Sequence, residues 1–584
     1  MNIGSFKFLE NKIVLRFNLR ICETAEELLE SSLFKEVLTR SLDELSQRNS
    51  FLLNIFDGHK TDDQQINDLI KTFQFLSKMP GTLVPNVVKG SQRFLKDPHL
   101  LNDFVEYLYN YWRRYDRFLI CDSTQNDLDK SSYRTFNASV GELTNLIRGV
   151  YRDIQENIIG HHPRIYRQVS AGAEVATISI DKQITFPSAN YNKLNKVPMI
   201  RQVLLHPPLI LNPPMNKRSG KFQRIPTNPL DVVDINREEW LCYPAKVGEL
   251  VILIYFHNKF LDLGFSLCNL FQLAEDEDLN KKPDAVYVFG VAPGSLNQFG
   301  DFPTVFYDDE ANDLLVGAVP NDNQFGYFGY LKKMVLTLHN IIMMKKGRLP
   351  FHGALVRIIL KGNRDVTILF IGDTGAGKSE TLEAFRELGY DKIQDIIIIA
   401  DDMGSLDIDG DGNIIGYGTE IGAFLRLDDL QPGYALGQID RAIIMSANQV
   451  NARIILPVTS YDNVIKGRKI DYILYANNYD QIDDEHPIIE RVTDVEKALN
   501  IFREGTVMSK GTTTTTGLVH SYFANVFGPP QYKEIHEGLA HKFFNAFFKN
   551  GVFVGQMRTR LGLVGAEREG PIEAAKELLE VLQK

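Results

Sequence analysis

The chain has 584 residues, 44% hydrophobic and 24% charged, a length that suggests several domains and a composition too ordinary for wholesale disorder or a fibrous repeat. Its 64 Lys+Arg against 74 Asp+Glu give a net charge of -10, which argues against a dedicated nucleic-acid binder. No apolar run approaches the roughly 20 residues that cross a bilayer, so no membrane partner is expected.

The first residues, Met1 to Lys7, lack the basic and apolar regions of a secretory signal. Cys22, Cys121, Cys242 and Cys268 are far apart with no CxxC pair. That excludes a zinc ribbon and a dense disulfide framework, and predicts free thiols in a cytoplasmic protein. Thr24 reads as an N-cap before Ala25-Glu26-Glu27-Leu28-Leu29, and apolar residues recur at helical spacing through Leu33, Val37, Leu38, Leu42 and Leu45. Similar spacing predicts helices over about 63–79, 98–120 and 139–158. The aromatic and arginine-rich run from Phe104 to Ile120 invites an RNA-stacking reading, but a buried aromatic helix face with an outer arginine face explains it better. Residues 1–195 are expected to form a mainly helical extension, and nothing in 1–160 carries a chemical signature. A proline-rich stretch from Leu205 to Pro229 predicts a loop. Strand-like runs at Glu249–His257, Ala285–Val291 and Val366–Gly372 then alternate with helices, which predicts α/β architecture.

Gly372-Asp373-Thr374-Gly375-Ala376-Gly377-Lys378-Ser379 fits GxxxxGK[ST] at every position, between a strand-like run and a helical one. Such glycines let backbone N–H groups turn inward around phosphate oxygens. Lys378 places a charge on the β and γ phosphates, and the Ser379 hydroxyl can ligate Mg²⁺. Downstream, Ile396-Ile397-Ile398-Ile399-Ala400 predicts a buried strand ending in Asp401-Asp402, where acidic groups can serve a metal or a proton transfer. Asp407-Ile408-Asp409-Gly410-Asp411-Gly412 looks superficially like a calcium loop. The residue at its twelfth position is Gly418 rather than Glu, so a β-hairpin turn is expected.

Two families share these motifs. His352-Gly353-Ala354-Leu355-Val356, the P-loop with Glu380-Thr381, and Ala400-Asp401-Asp402 resemble the core of HPr kinase/phosphorylase. A wider stretch, about 200–570, resembles ATP-dependent phosphoenolpyruvate carboxykinase. Tyr327, Lys332-Lys333 and His352 stand at that family's spacings. Lys282 to Val288, Asn451-Ala452-Arg453-Ile454-Ile455-Leu456-Pro457 and Tyr522 to Gly528 are similar to other segments of it.

The carboxykinase resemblance implies an α/β, two-lobed P-loop catalytic unit, with lobes over 196–335 and 336–584, preceded by the helical region. It implies Mn²⁺ held by Lys333 (as a neutral amine), His352 and Asp402, with Lys332 as the cation that lowers the Lys333 pKa. It implies reversible conversion of oxaloacetate and ATP to phosphoenolpyruvate, ADP and CO₂. Arg453 would lie by the transferring phosphoryl or the substrate carboxylate, Tyr327 against the substrate, and Arg218 as a carboxylate clamp. Gly416 to Ala423 lacks the Lys of the carboxykinase pattern, and its Glu420 is closer to an acidic residue of the kinase family. The run Thr512 to Thr516 replaces an Arg of the adenine site. A kinase for a protein serine or a small hydroxyl compound, and a nucleotide-binding regulator, are the alternatives.

Overall fold

Thr24 accepts a hydrogen bond from the Glu27 amide and opens a five-residue helix, Ala25–Leu29. Ser31 then caps a second helix, Ser32–Gln47, so the apolar spacing read as one run is two helices joined by a new N-cap. The computed structural model describes residues 5–17, 21–57, 62–123, 130–362, 364–373, 375–388, 392–427, 438–510 and 516–583. The chain is mixed α/β and divides into two compact units, one of 1–182 with 198–207 and one of 183–197 with 208–584.

In the first unit, helices Asp63–Leu76, Pro98–Arg113 and Lys130–Ile159 join the two above around a core that includes Leu38, Leu45, Leu69, Phe73, Phe104 and Ile154. A sheet accompanies them. Phe6–Leu9 pairs antiparallel with Lys12–Phe17, which runs parallel to Asp116–Ser123 and through it to Val175–Ile180, with Met199–Leu205 antiparallel beyond. The helix expected over 98–120 therefore ends at Arg113. Phe118, Leu119 and Ile120 are buried in a strand with a parallel neighbour on each side, a setting that favours β-branched and aromatic residues over helix continuation.

In the second unit, Leu250–His257, Ala285–Val291 and Leu314–Pro320 run parallel, with Trp240–Val247 and Val305–Asp309 antiparallel at the flanks. A second sheet has the order Arg468–Lys469, Ile414–Gly418, Met403–Ile408, Leu349–Leu360, Arg364–Ile371, Tyr472–Asn477, Phe553–Arg558 and Ile489–Arg491, and Ile393–Ala400 also pairs with Leu349–Leu360. Helix Phe328–Lys345 packs on strands of both sheets and is buried along nearly its whole length. The lobe boundary expected at 335/336 falls inside that helix, because a helix buried on all sides cannot serve as a linker. The proline-rich stretch holds two three-residue strands, Leu209–Leu211 and Gln223–Ile225. Asp409 turns the hairpin between Met403–Ile408 and Ile414–Gly418, accepting from the amides of Asp411 at 3.0 Å and Asn413 at 2.8 Å, as the sequence predicts. Among the described residues no helix is long and apolar enough to cross a membrane.

One buried ion pair fixes the sheet of the first unit. Arg117 pairs with Glu174 and donates to the carbonyls of Gly172 at 2.6 Å, Tyr115 at 2.7 Å and Trp112 at 3.2 Å. Burial pushes the Glu174 pKa up against the pull of Arg117. Arg117→Ala should cost about 3–5 kcal/mol by stranding that carboxylate. Arg117→Met with Glu174→Gln should recover much of the loss in thermal unfolding, and a double variant as unstable as the single one would refute this account.

Candidate active site

The P-loop leaves the carboxyl end of Arg364–Ile371, whose neighbours are the antiparallel Leu349–Leu360 and the parallel Tyr472–Asn477. Gly375 and Gly377 adopt φ of +81° and +92°, which side-chain-bearing residues rarely adopt. At Gly377 the constraint is double, since a Cβ there would lie 2.6 Å from Thr559 Oγ1. Two side chains hold the loop from outside. Thr559 donates to the Ala376 carbonyl at 2.7 Å, and Asn478 donates to the Gly375 carbonyl at 2.9 Å. Helix Lys378–Leu388 follows, with Ser379 exposed in its first turn. Lys378 is buried and donates to the carbonyls of Gly372 and Asp373. Burial lowers its pKa, while Asp402 and Asp373 oppose the shift. Thr374 and Thr512 to Thr515 lie outside the described residues.

Strand pairing brings the acidic and imidazole groups together. His352 stands in register with Met403, and the Gly353 amide donates to the Asp402 carbonyl at 2.9 Å. The His352 and Asp402 side chains consequently meet, Nε2 to Oδ1, at 2.9 Å. His352 Nδ1 faces the Ala524 carbonyl, an acceptor only, so that nitrogen carries the hydrogen. With no hydrogen on Nε2, the ring would point a lone pair at a carboxylate. Such a contact is favourable only with a proton or a cation between the two atoms.

Lys332 and Lys333 sit near the start of helix Phe328–Lys345 and play different parts. Lys332 is buried and pairs with Asp402 at 2.7 Å and Glu420 at 3.5 Å. Burial opposes the charge of Asp402, but Lys332 and His352 outweigh it and hold the carboxyl well below the usual range. Burial pushes Glu420 up to about 8 and Asp401 up to about 6, with Lys332 opposing both shifts. Lys333 is pulled down to about 8, first by burial and then by Arg218, with Lys332 a smaller contributor. The expected order of causes is thus reversed: Lys332 is neutralised by its carboxylates, and desolvation does most of the work.

Arg218 and Arg453 complete the cluster. Arg453, at the start of strand Arg453–Pro457, lies within electrostatic reach of the buried Tyr327 and 5.5 Å from the Phe424 ring centre. Arg218 lies within electrostatic reach of Tyr327 and Lys333, over the Phe222 ring at 4.9 Å. Lys333 lies 4.8 Å from the centre of Phe527. Among the described residues, none of Lys333, Arg218 and Arg453 has a carboxylate within ion-pair distance, and the Nε atoms of both arginines are buried without a hydrogen-bond partner.

The residues fit a divalent ion on one condition. The described residues hold no group of three or more His, Cys, Asp or Glu side chains placed for a metal. His352 and Asp402 supply two donors, and their 2.9 Å separation is about the edge spanned by neighbouring ligands at 2.0–2.1 Å around an octahedral ion. The third donor that the carboxykinase resemblance implies is Lys333 as the neutral amine, and its lowered pKa is compatible with that form.

Of the residues singled out in the sequence, Tyr327, Lys332, Lys333, His352, Lys378, Asp401, Asp402, Arg218 and Arg453 gather here, with Gly372, Asp373, Gly375, Ala376 and Gly377 in the loop. Asn478, Thr559, Phe424 and Phe527 were not anticipated. No short motif marks the first three. Phe527 lies within the Tyr522 to Gly528 segment that already stood out. No family model matches the chain, and neither does any curated protein sequence.

Two measurements check this geometry. Gly377→Ala should cost about 1–3 kcal/mol in unfolding free energy through strain at positive φ, and should weaken nucleotide binding. A variant as stable as the parent would show that the Thr559 contact is not a constraint. Acylation of Lys333 by acetic anhydride, followed by peptide mass spectrometry, should level off above pH about 8, whereas an ordinary lysine keeps gaining reactivity toward pH about 10.4. A Lys333 profile superimposed on those of surface lysines would sink the assignment.

Proposed function

We propose that residues 208–584 form a phosphoenolpyruvate carboxykinase-like enzyme of two-lobed design, interconverting oxaloacetate and ATP with phosphoenolpyruvate, ADP and CO₂. The supporting observation is the juxtaposition of three cations without carboxylate partners, Lys333, Arg218 and Arg453, with a P-loop lysine and the His352–Asp402 pair. Surplus buried positive charge of this kind suits a small, multiply anionic substrate beside a nucleotide triphosphate.

Each side chain has a task in this reading. The Lys378 ammonium exchanges its loop carbonyls for β and γ phosphate oxygens. Arg453 and Arg218 orient the substrate carboxylates and neutralise charge on the transferring group. Tyr327, buried beside Arg453, closes one wall of the substrate site. Lys332 keeps Asp402 ionised and aimed at His352. Asp401, with its pKa raised to about 6, is placed to hold or release a proton close to neutral pH. Mn²⁺ at Lys333, His352 and Asp402, and Mg²⁺ at Ser379 with the nucleotide, would supply Lewis-acid polarisation of the keto oxygen and charge neutralisation of the phosphates. The four cysteines are free, which suits a cytoplasmic location.

The test is Mn²⁺-dependent exchange of ¹⁴CO₂ into oxaloacetate. Activity with ATP is expected. Nucleotide binding by calorimetry with no exchange using ATP, GTP or pyrophosphate would overturn the proposal in favour of another phosphoryl acceptor. Lys378→Ala should slow transfer by about 10³-fold, roughly 4 kcal/mol in the barrier. A rate within tenfold of the parent would remove the P-loop from the mechanism.

A further inference from the structure

The first unit contains two neighbouring cavities of opposite character that share a wall. One has a volume of about 150 Å³ and is almost wholly apolar, with Phe34, Leu108, Trp112, Leu143 and Val150 among its lining residues. The other, about 300 Å³, is lined by Arg113, Arg148, Arg152 and Arg167 together with Glu106 and Glu156. Tyr109 and Tyr151 border both. Their rings stack in parallel, 7° apart in plane and 3.8 Å between centres.

Polar groups at this wall are unevenly satisfied. Glu106 accepts from the Tyr151 hydroxyl and from Asn110, and Glu156 accepts from Tyr166 and His162. The four arginines have no carboxylate within ion-pair distance among the described residues. Arg113 is held by the Ser170 carbonyl and the Asn110 side chain, and Arg148 and Arg152 share the Gln168 side-chain oxygen. Arg148 Nε is buried without a partner. So is the hydroxyl of Tyr109, a residue only 8% exposed. Burial raises the Tyr109 pKa while Arg113, Arg148 and Arg152 pull it down, which places their charges around that hydroxyl.

A pocket with so apolar a lining offers water few partners, and a bound apolar group would gain packing energy there. An unpaired buried hydroxyl at its edge and an unpaired guanidinium nitrogen lining the neighbouring cavity call for an acceptor, and arginine surplus makes that acceptor an anion. We propose that the first unit binds a small anionic amphiphile, with its hydrocarbon in the apolar cavity and its carboxylate on Tyr109 and the Arg148–Arg152 group. Neither the phosphoryl-transfer reading nor any residue of its site is needed for this conclusion.

Trp112 lines the apolar cavity and is one of only two tryptophans in the chain. With Trp240 replaced by Phe, the intrinsic fluorescence of the full-length protein therefore reports on that cavity. Titration with decanoate should give saturable 1:1 binding. Decanol, which lacks the charge, and acetate, which lacks the tail, should each bind at least tenfold more weakly. Arg148→Gln and Tyr109→Phe should each weaken decanoate at least fivefold and leave decanol unchanged. Val150→Phe, which fills the cavity, should abolish both. Absence of decanoate binding by a protein with parental thermal stability overturns the proposal. Equal affinity for decanol and decanoate, or decanoate affinity untouched by both Arg148→Gln and Tyr109→Phe, overturns the anionic half of it.

Discussion

The buried ion pair between Lys332 and Asp402 is the constraint on which the rest of the site depends. Lys332 is enclosed on a helix with 2% side-chain exposure, and two carboxylates, Asp402 and Glu420, compete for its single charge. In a low-dielectric interior one ammonium cannot keep two neighbouring carboxylates ionised. Asp402 wins because it is nearer to Lys332 and also faces His352. Glu420 is left with its pKa raised to about 8 and its Oε1 without a hydrogen bond. Helix Phe328–Lys345, the end of strand Ile393–Ala400 and the segment before strand Gly422–Arg426 are thereby fixed to one another. Removing Lys332 alone would leave an uncompensated buried anion, the costly half of any buried pair.

The positive charge left over follows from how the remaining cations are held. Lys333, Arg218 and Arg453 rest on Phe527, Phe222 and Phe424. An aromatic face steadies a cation without neutralising it. Had these positions been built with aspartate or glutamate, the same side chains would be equally well ordered and electrostatically spent. The aromatic supports keep the charge available for an anion, and burial strengthens its field.

Much of the backbone around the site was legible because it is local. The P-loop needs its glycines at fixed offsets for backbone reasons, so Gly375 and Gly377 show in the sequence what their φ angles show in the structure. The strand ending at Ala400 and the hairpin turn at Asp409 are likewise set within a few residues. That strand, expected to be buried, is so only at Ile399 and Ala400, because it pairs on one side alone. What escaped is what depends on distant partners. Asn478 and Thr559 belong to other parts of the chain and meet the P-loop only through sheet order. The sheet of the first unit escaped for a related reason: Phe118 to Ile120 is as apolar as a helix face, and only its pairing with Lys12–Phe17 and Val175–Ile180 decides for a strand. Causes of pKa shifts were misjudged in the same way, since adjacency suggested Lys332 where burial and Arg218 dominate.

One further dependence runs from backbone strain to the His352 imidazole. Phe523, Ala524 and Asn525 all have positive φ, 44°, 55° and 65°, an expensive conformation for three consecutive residues that are not glycine. The surroundings enforce it. The Phe523 and Tyr522 rings pack edge-on to His536, Tyr522 hydrogen-bonds that imidazole at 2.9 Å, and Asn340 donates to the Phe527 carbonyl at 2.8 Å. The strained turn presents the Ala524 carbonyl to His352 Nδ1. That carbonyl accepts the Nδ1 hydrogen and orients the ring, with Nε2 turned toward Asp402. An unstrained turn would release the carbonyl and with it the orientation of the ring. The strain in a segment with no titratable group of its own therefore determines which atom of His352 faces Asp402.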